Sequence, residues 1–262
     1  LPGAGMVKFF EVMVKKFRVF YLFVSTLVIT LLHLPFAFAK SATATMFFNP
    51  PPGDSVTNSS TKIPSSASLL KSVYDSLHLN VKGLTQQAFD YAKEGFQKLV
   101  AEGKLVNDSI ISIADFSLHS GEKRLFIIDM RNYKVLFNTL VAHGRNTGRE
   151  IATSFSNQNS TYKSSPGFYI TGETYQGKNG YSLKLEGLER GINDNAFERG
   201  IVIHGADYVS DAFVNMQGYI GRSQGCPAIP VALSRPIINT IKNGSCLFIY
   251  HSSYIDSSAI LN

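Results

Sequence analysis

Three hydrophobic patterns follow one another along the 262 residues. The first is an unbroken apolar run, VFYLFVSTLVITLLHLP, at 19–35, directly after the basic stretch VKFFEVMVKKFR. The second has a helical period. Leu69, Leu70, Val73 and Leu77 share one face of a first predicted helix, and Ala88, Phe89, Ala92, Phe96 and Leu99 share one face of a second. Thr85 is placed to cap the second helix and Gly103 to stop it. Stripes of this kind are packing faces, so residues 67–105 are expected to form a helical segment lying on the domain that follows. The third pattern begins at Ile110, where short β-rich runs alternate with turn residues. RLFIIDMRNYKVLFNTLVAHG holds two runs around Arg131-Asn132, a hairpin signal, and SPGFYITGETY, YSLKLEG, GIVIHG and SCLFIY add further strands. One helix, VALSRPIINTIK at 231–242, interrupts them before Gly244 and a last strand. Residues 106–252 are therefore predicted to be a mostly β domain, with 253–262 as a C-terminal tail.

The first apolar run changes meaning once its flanks are read. A basic stretch, an apolar run and the small-x-small sequence Ala37-Phe38-Ala39 together predict an export signal over 1–39, with Leu1–Gly5 ahead of Met6 as a tag remnant. The competing reading is an uncleaved anchor, because Val19 to Ala39 is close to the roughly 20 residues that span a bilayer. Pro35 and the small residues favour cleavage, so membrane contact is expected only if this segment stays attached. Either way the rest of the chain is expected outside the cytoplasmic membrane, in the periplasm or cell envelope. Residues 40–66, which include NPPPGDSVTNSSTKIPSS, are expected to be a flexible linker.

Composition narrows the function classes. The net charge is +6, but Lys8, Lys15, Lys16 and Arg18 against Glu11 account for half of it, and the remainder is only mildly basic. No Arg/Lys stripe interleaved with aromatics is present, so no nucleic-acid partner is expected. No internal repeat, Gly-rich phosphate loop or metal-ligand spacing occurs, so neither a cofactor nor a metal is expected. Two cysteines in an exported chain do not make a disulfide scaffold.

One of those cysteines, Cys226, lies in GRSQGCPAIP at 221–230. A cysteine attacks carbonyls as a thiolate, so it needs a base, an electropositive setting and donors for the oxyanion. His204 ends the apolar run GIVIHG and is the candidate base. Arg222 offers positive charge a few positions away. Gly225 allows close backbone approach, and the Gly225 and Cys226 amides are candidate oxyanion donors. Pro227 biases Cys226 away from helical backbone. Two other readings stand beside the nucleophile. A Cys226–Cys246 disulfide would contribute about 3 kcal/mol by loop closure, and a small buried residue is the ordinary role of a cysteine such as Cys246 in GSCLFIYH.

IVIHG at 201–205 followed by SQGC at 223–226 resembles the signature of the L,D-transpeptidases, the YkuD-type murein cross-linking enzymes. TLVAHGRNTG, SFSNQNSTYKSSPGFYITGETYQGKNGYSLKLEGLE and GRSQGCPA are similar to the second catalytic-domain branch of that family, over about Ser68 to Tyr250. The resemblance implies an L,D-transpeptidase-like β-sandwich or barrel with a few helices, preceded by a helical segment. It implies Cys226 as nucleophile and His204 as base, with the imidazole oriented by a carbonyl near Gly205; Asp207 is the competing orienter. Two departures matter. Gln224 stands where many relatives have histidine, and a glutamine is no base at neutral pH. Pro227 and Ala228 stand where an arginine is common, which leaves Arg222 to hold a substrate carboxylate. Ser223 and Gln224 are then candidate substrate contacts, and His143 in VAHGRN is either a substrate contact or a structural hydrogen-bonding residue. His78, His119 and His251 read as surface or edge residues. Arg190 and Arg199 flank a Gly- and Asn-rich loop and either hold substrate carboxylates or, as the commoner case, are solvated charges.

The implied reaction is acyl transfer from a peptidoglycan tetrapeptide stem, with loss of D-alanine, to the amine of a second stem. Peptidoglycan stem peptides are thus both donor and acceptor, and the chain is expected to act as a monomer. Water as acceptor would make it an L,D-carboxypeptidase. A sortase-like cysteine transpeptidase and a catalytically weak wall-binding module are the remaining alternatives.

Overall fold

The computed structural model describes residues 73–262. The export signal, the linker and the start of the first predicted helix, with Leu69 and Leu70, lie outside the described residues. What remains of that first helix is one turn over 73–76, after which Leu77, Leu79 and Leu84 continue into the core. Helix α1 (Gln86–Ala101) begins and ends where its sequence signals say. The Thr85 hydroxyl accepts from the Ala88 amide at its start. At its end Gly103 takes a left-handed φ of 66°, and the Gly103 and Lys104 amides bond back to Val100 and Leu99.

The strands are β1 (Ile110–Asp115), β2 (Leu125–Asp129), β3 (Lys134–Thr139), β4 (Gly167–Gly177), β5 (Gly180–Gly187), β6 (Val202–Gly205), β7 (Ala228–Ile229) and β8 (Cys246–Tyr250). They form one sheet in the order β3-β2-β1-β8-β4-β5-β6-β7. The chain beyond β3 carries the sheet toward closure, because Ala142 bridges Ala228 of β7. The result is mostly β and nearly a barrel, as the sequence leads one to expect. Helices α2 (Asp211–Gln217) and α3 (Val231–Ile241) and a 3-10 helix (Ser252–Ser257) complete it.

Both faces of the central strands are covered, which explains why CLFIY in β8 is apolar at every position. Ile111, Ile113, Phe126, Ile128, Phe168, Cys246 and Phe248 face α1 through Ala88, Phe89, Ala92, Phe96 and Leu99. The alternate residues Leu125, Ile127, Tyr169, Leu247 and Ile249 face the other way, onto Ile237, Ile238 and Ile241 of α3. Cys246 is thus a buried core residue and a free thiol, and so is Cys226 free. Three strands separate β8 from β7 in either direction around the sheet, so the disulfide reading does not apply.

Two parts differ from expectation. Helix α2 is an addition, marked by Ser210 at its N-cap and left-handed Gly218 at its C-cap, and none of its residues is buried. Residues 253–262, read as a tail, instead pack: Tyr254 and Ile255 are buried, and the Tyr254 and Ser258 hydroxyls donate to the buried Glu189 carboxylate.

Candidate active site

Cys226 sits at the entry to β7, where a loop is fixed by its own polar atoms. The Ser223 hydroxyl accepts from the Gly225 amide at 3.0 Å and donates to the Cys226 carbonyl at 2.6 Å. Gly225 has φ 123°, which an L side chain rarely adopts, and a Cβ there would meet the Lys163 carbonyl at 2.9 Å. Its carbonyl accepts from Ser164 Oγ at 3.0 Å. The loop is pinned to the chain before it as well: the Ser223 amide donates to the His143 carbonyl, and the Arg145 amide to the Ser223 carbonyl.

This geometry revises two sequence expectations. The Gly225 amide is engaged by Ser223 and is not available to an oxyanion. Ser223 itself is buried, with its hydroxyl occupied inside the loop, so it shapes the loop instead of contacting substrate. Gln224, between them, is exposed.

The Cys226 thiol is half-buried by exposed area, yet closely surrounded by protein atoms, and it donates to the Gly200 carbonyl at 3.8 Å. That crowding pushes the thiol up, opposed by the Val202 amide, the Arg199 charge and its own amide. The charge of Arg199 thus favours the thiolate. Arg199 is no solvated surface charge: it is half-buried, and its guanidinium donates to Ser156 O, Ser165 Oγ and Lys163 O at 2.6–2.8 Å. Arg222 is exposed, with Nη1 donating to the Arg145 and Gly148 carbonyls at 3.1 and 3.2 Å.

His204 lies on β6 and pairs with Ala228 of β7, two residues beyond the thiol. It is buried, and Nδ1 lies 2.9 Å from the Gly205 carbonyl. A carbonyl only accepts, so Nδ1 carries the proton and Nε2 carries a lone pair, without a hydrogen-bond partner among the described residues. Burial holds the imidazole below its ordinary range, against the opposing pull of that carbonyl. Gly205 is therefore the orienter by its backbone, and Asp207 stays exposed.

His143 has the surroundings of the structural alternative. It is fully buried, with Nδ1 2.7 Å from Arg124 Nη2 and Nε2 3.2 Å from the Gly148 carbonyl. Burial first, then the Arg124 charge, lower it to about 3. Sequence reasoning also missed Tyr208. Its phenol is raised to about 12 by burial and then by the charge of Cys226. Its hydroxyl has no hydrogen-bond partner among the described residues. The clue in the sequence was its position four residues after His204.

A model of the L,D-transpeptidase catalytic domain matches residues 80–250. Among solved structures, an L,D-transpeptidase from Mycobacterium smegmatis is similar at 10% identity and TM-score 0.35, over 55% of this chain and 59% of that one. An L,D-transpeptidase from Stackebrandtia nassauensis is similar at 14% identity and TM-score 0.34, over 60% and 65%. The helical cell shape determining protein Pgp2 from Campylobacter jejuni is similar at 14% identity and TM-score 0.36, over 55% and 48%. The chain thus spans less than two thirds of each of these solved chains. No curated protein matches the sequence. With the family model covering well over half of its length, the chain belongs to the L,D-transpeptidase catalytic-domain family.

Proposed function

We propose that this chain is a peptidoglycan L,D-transpeptidase acting in the periplasm or cell envelope, with Cys226 as nucleophile and His204 as general base. The observation that carries this reading is the β6–β7 pairing, which sets an imidazole with a free Nε2 on the strand beside a half-buried, uncombined thiol. With burial pushing the thiol up and the imidazole down, the resting pair is neutral, and the proton moves as attack proceeds.

In the first half-reaction His204 Nε2 takes the thiol proton while Sγ attacks the carbonyl carbon between the third residue and the terminal D-alanine of a tetrapeptide stem. The C–N bond breaks, the imidazolium returns the proton to the departing amine, and a thioester remains on Cys226. In the second, an amine of another stem attacks the thioester carbonyl and loses its proton to His204. The C–S bond breaks, the thiol is restored and the third residues are cross-linked. The Val202 and Cys226 amides, which favour the thiolate, and the Tyr208 hydroxyl are the donors assigned here to the developing oxyanion. A well-placed donor of this kind contributes about 3 kcal/mol. Arg222, with part of its guanidinium unengaged, and the exposed Gln224 are left to meet the carboxylates and amides of the stem.

The test is to incubate the protein with disaccharide tetrapeptides and follow D-alanine and cross-linked dimers by mass spectrometry. Dimers and free D-alanine from the wild type, both abolished in Cys226→Ala, are expected. D-alanine without dimers, even at high acceptor concentration, would assign hydrolysis at the same bond. Full turnover by Cys226→Ala would refute the mechanism.

A further inference from the structure

We propose that Arg124 and His143 form an internal brace that positions the Cys226 loop through the 144–148 turn. Arg124 is among the largest fully buried side chains of the protein, yet no carboxylate is hydrogen-bonded to its guanidinium. Nε and Nη2 donate to Val141 O at 3.1 and 3.0 Å, Nη1 to Leu118 O at 2.8 Å, and Nη2 to His143 Nδ1 at 2.7 Å. The Phe116 ring lies 4.7 Å from Cζ. Burying a charge in this way is costly, and a site that needed only packing would be better served by an apolar residue.

The guanidinium has donors only, so Nδ1 must accept, Nε2 carries the proton, and the ring donates onward to Gly148 O at 3.2 Å. Arg222 Nη1 reaches that same carbonyl from the solvent side at 3.2 Å. Between these two anchors the backbone of His143 and Arg145 holds Ser223, and Ser223 Oγ holds Gly225 and Cys226. Hydrogen bonds therefore run unbroken from the buried cation to the nucleophile's own backbone. Arg124 and His143 touch no reacting atom; they are positioning residues.

The test compares His143→Phe, which keeps a ring and loses both bonds, with His143→Gln, which keeps a donor toward Gly148 O. Its kinetic arm rests on the acyl-transfer reading, whereas its amide-exchange arm needs no substrate. His143→Phe is expected to lower kcat at least tenfold with KM within twofold, and to speed exchange at 223–226 tenfold while β1 and β8 keep their protection. His143→Gln is expected to recover kcat to within threefold. Wild-type exchange at 223–226 in His143→Phe would overturn the proposal, as would an acceleration spread equally over β1 and β8. If His143→Phe does not fold, His143→Asn, whose amide is too short to reach Gly148 O, replaces it with the same expected and contrary results. If the wild type releases no D-alanine, the function reading fails and the exchange arm alone decides on the brace.

Discussion

Cys226 and His204 are each held by burial in the neutral form, and the charge that favours ionising the thiol comes from Arg199. Exchanging Arg199 for Gln should move the pH profile of Cys226 alkylation by iodoacetamide to higher pH, while Arg199→Lys moves it less and Arg222→Gln leaves it in place. An equal shift in Arg222→Gln would assign the charge wrongly. The acid limb of turnover should follow His204 and therefore lie below the ordinary histidine value of 6.5, which a pH–rate profile reads directly. At this scale the sequence disclosed the pair proposed here to do the chemistry, since His204 and Cys226 stand in a spaced motif. It did not disclose Arg199 or Tyr208 as partners of the thiol, because neither lies in the motif and their electrostatic coupling to it depends on the path of the fold.

Among the elements, α1 shows how a local rule gives way to packing. Gly95 lies in the middle of this helix, where alanine would favour the helix by about 1 kcal/mol. A Cβ there would collide with the Phe168 ring, and that ring is buried and stacked on Phe248 at a centroid distance of 4.2 Å. Gly95→Ala should therefore destabilise by about 1–3 kcal/mol, measured by urea denaturation, in spite of its propensity. Elements with a strong period or clear punctuation were legible: α1 with Thr85 and Gly103, the hairpin at Arg131-Asn132, and α3. Strand β7 was not, because two residues carry no period. Helix α2 buries nothing, so it offers no apolar stripe, and only Ser210 and Gly218 marked its ends.

Over the molecule as a whole, burial depresses His143, His204 and His251 together. A histidine whose folded value lies below its unfolded value leaves the unfolded state holding more protons. Stability is therefore full above about 6.5 and falls as pH drops toward the folded value, by about 1.4 kcal/mol per pH unit for each such group. His143, lowered to about 3, should keep this slope over the widest window, so His143→Gln should flatten the loss of stability between pH 6.5 and 4. An unchanged slope would mean that His143 is not held neutral in the native state. Sheet order was the least legible property at this scale. The strands could be found one by one, but nothing local in β8 announces that it lies between β1 and β4.

The proposed function rests on one covalent event, the transfer of a stem acyl group to Cys226. The most direct measurement is the mass of the protein after brief incubation with a tetrapeptide stem and acid quench, followed by peptide mapping. The account predicts an increment equal to the stem minus D-alanine, carried by the peptide that contains Cys226 and absent from Cys226→Ala. D-alanine release with no acyl group on that peptide, or an acyl group on Cys246 instead, would contradict it.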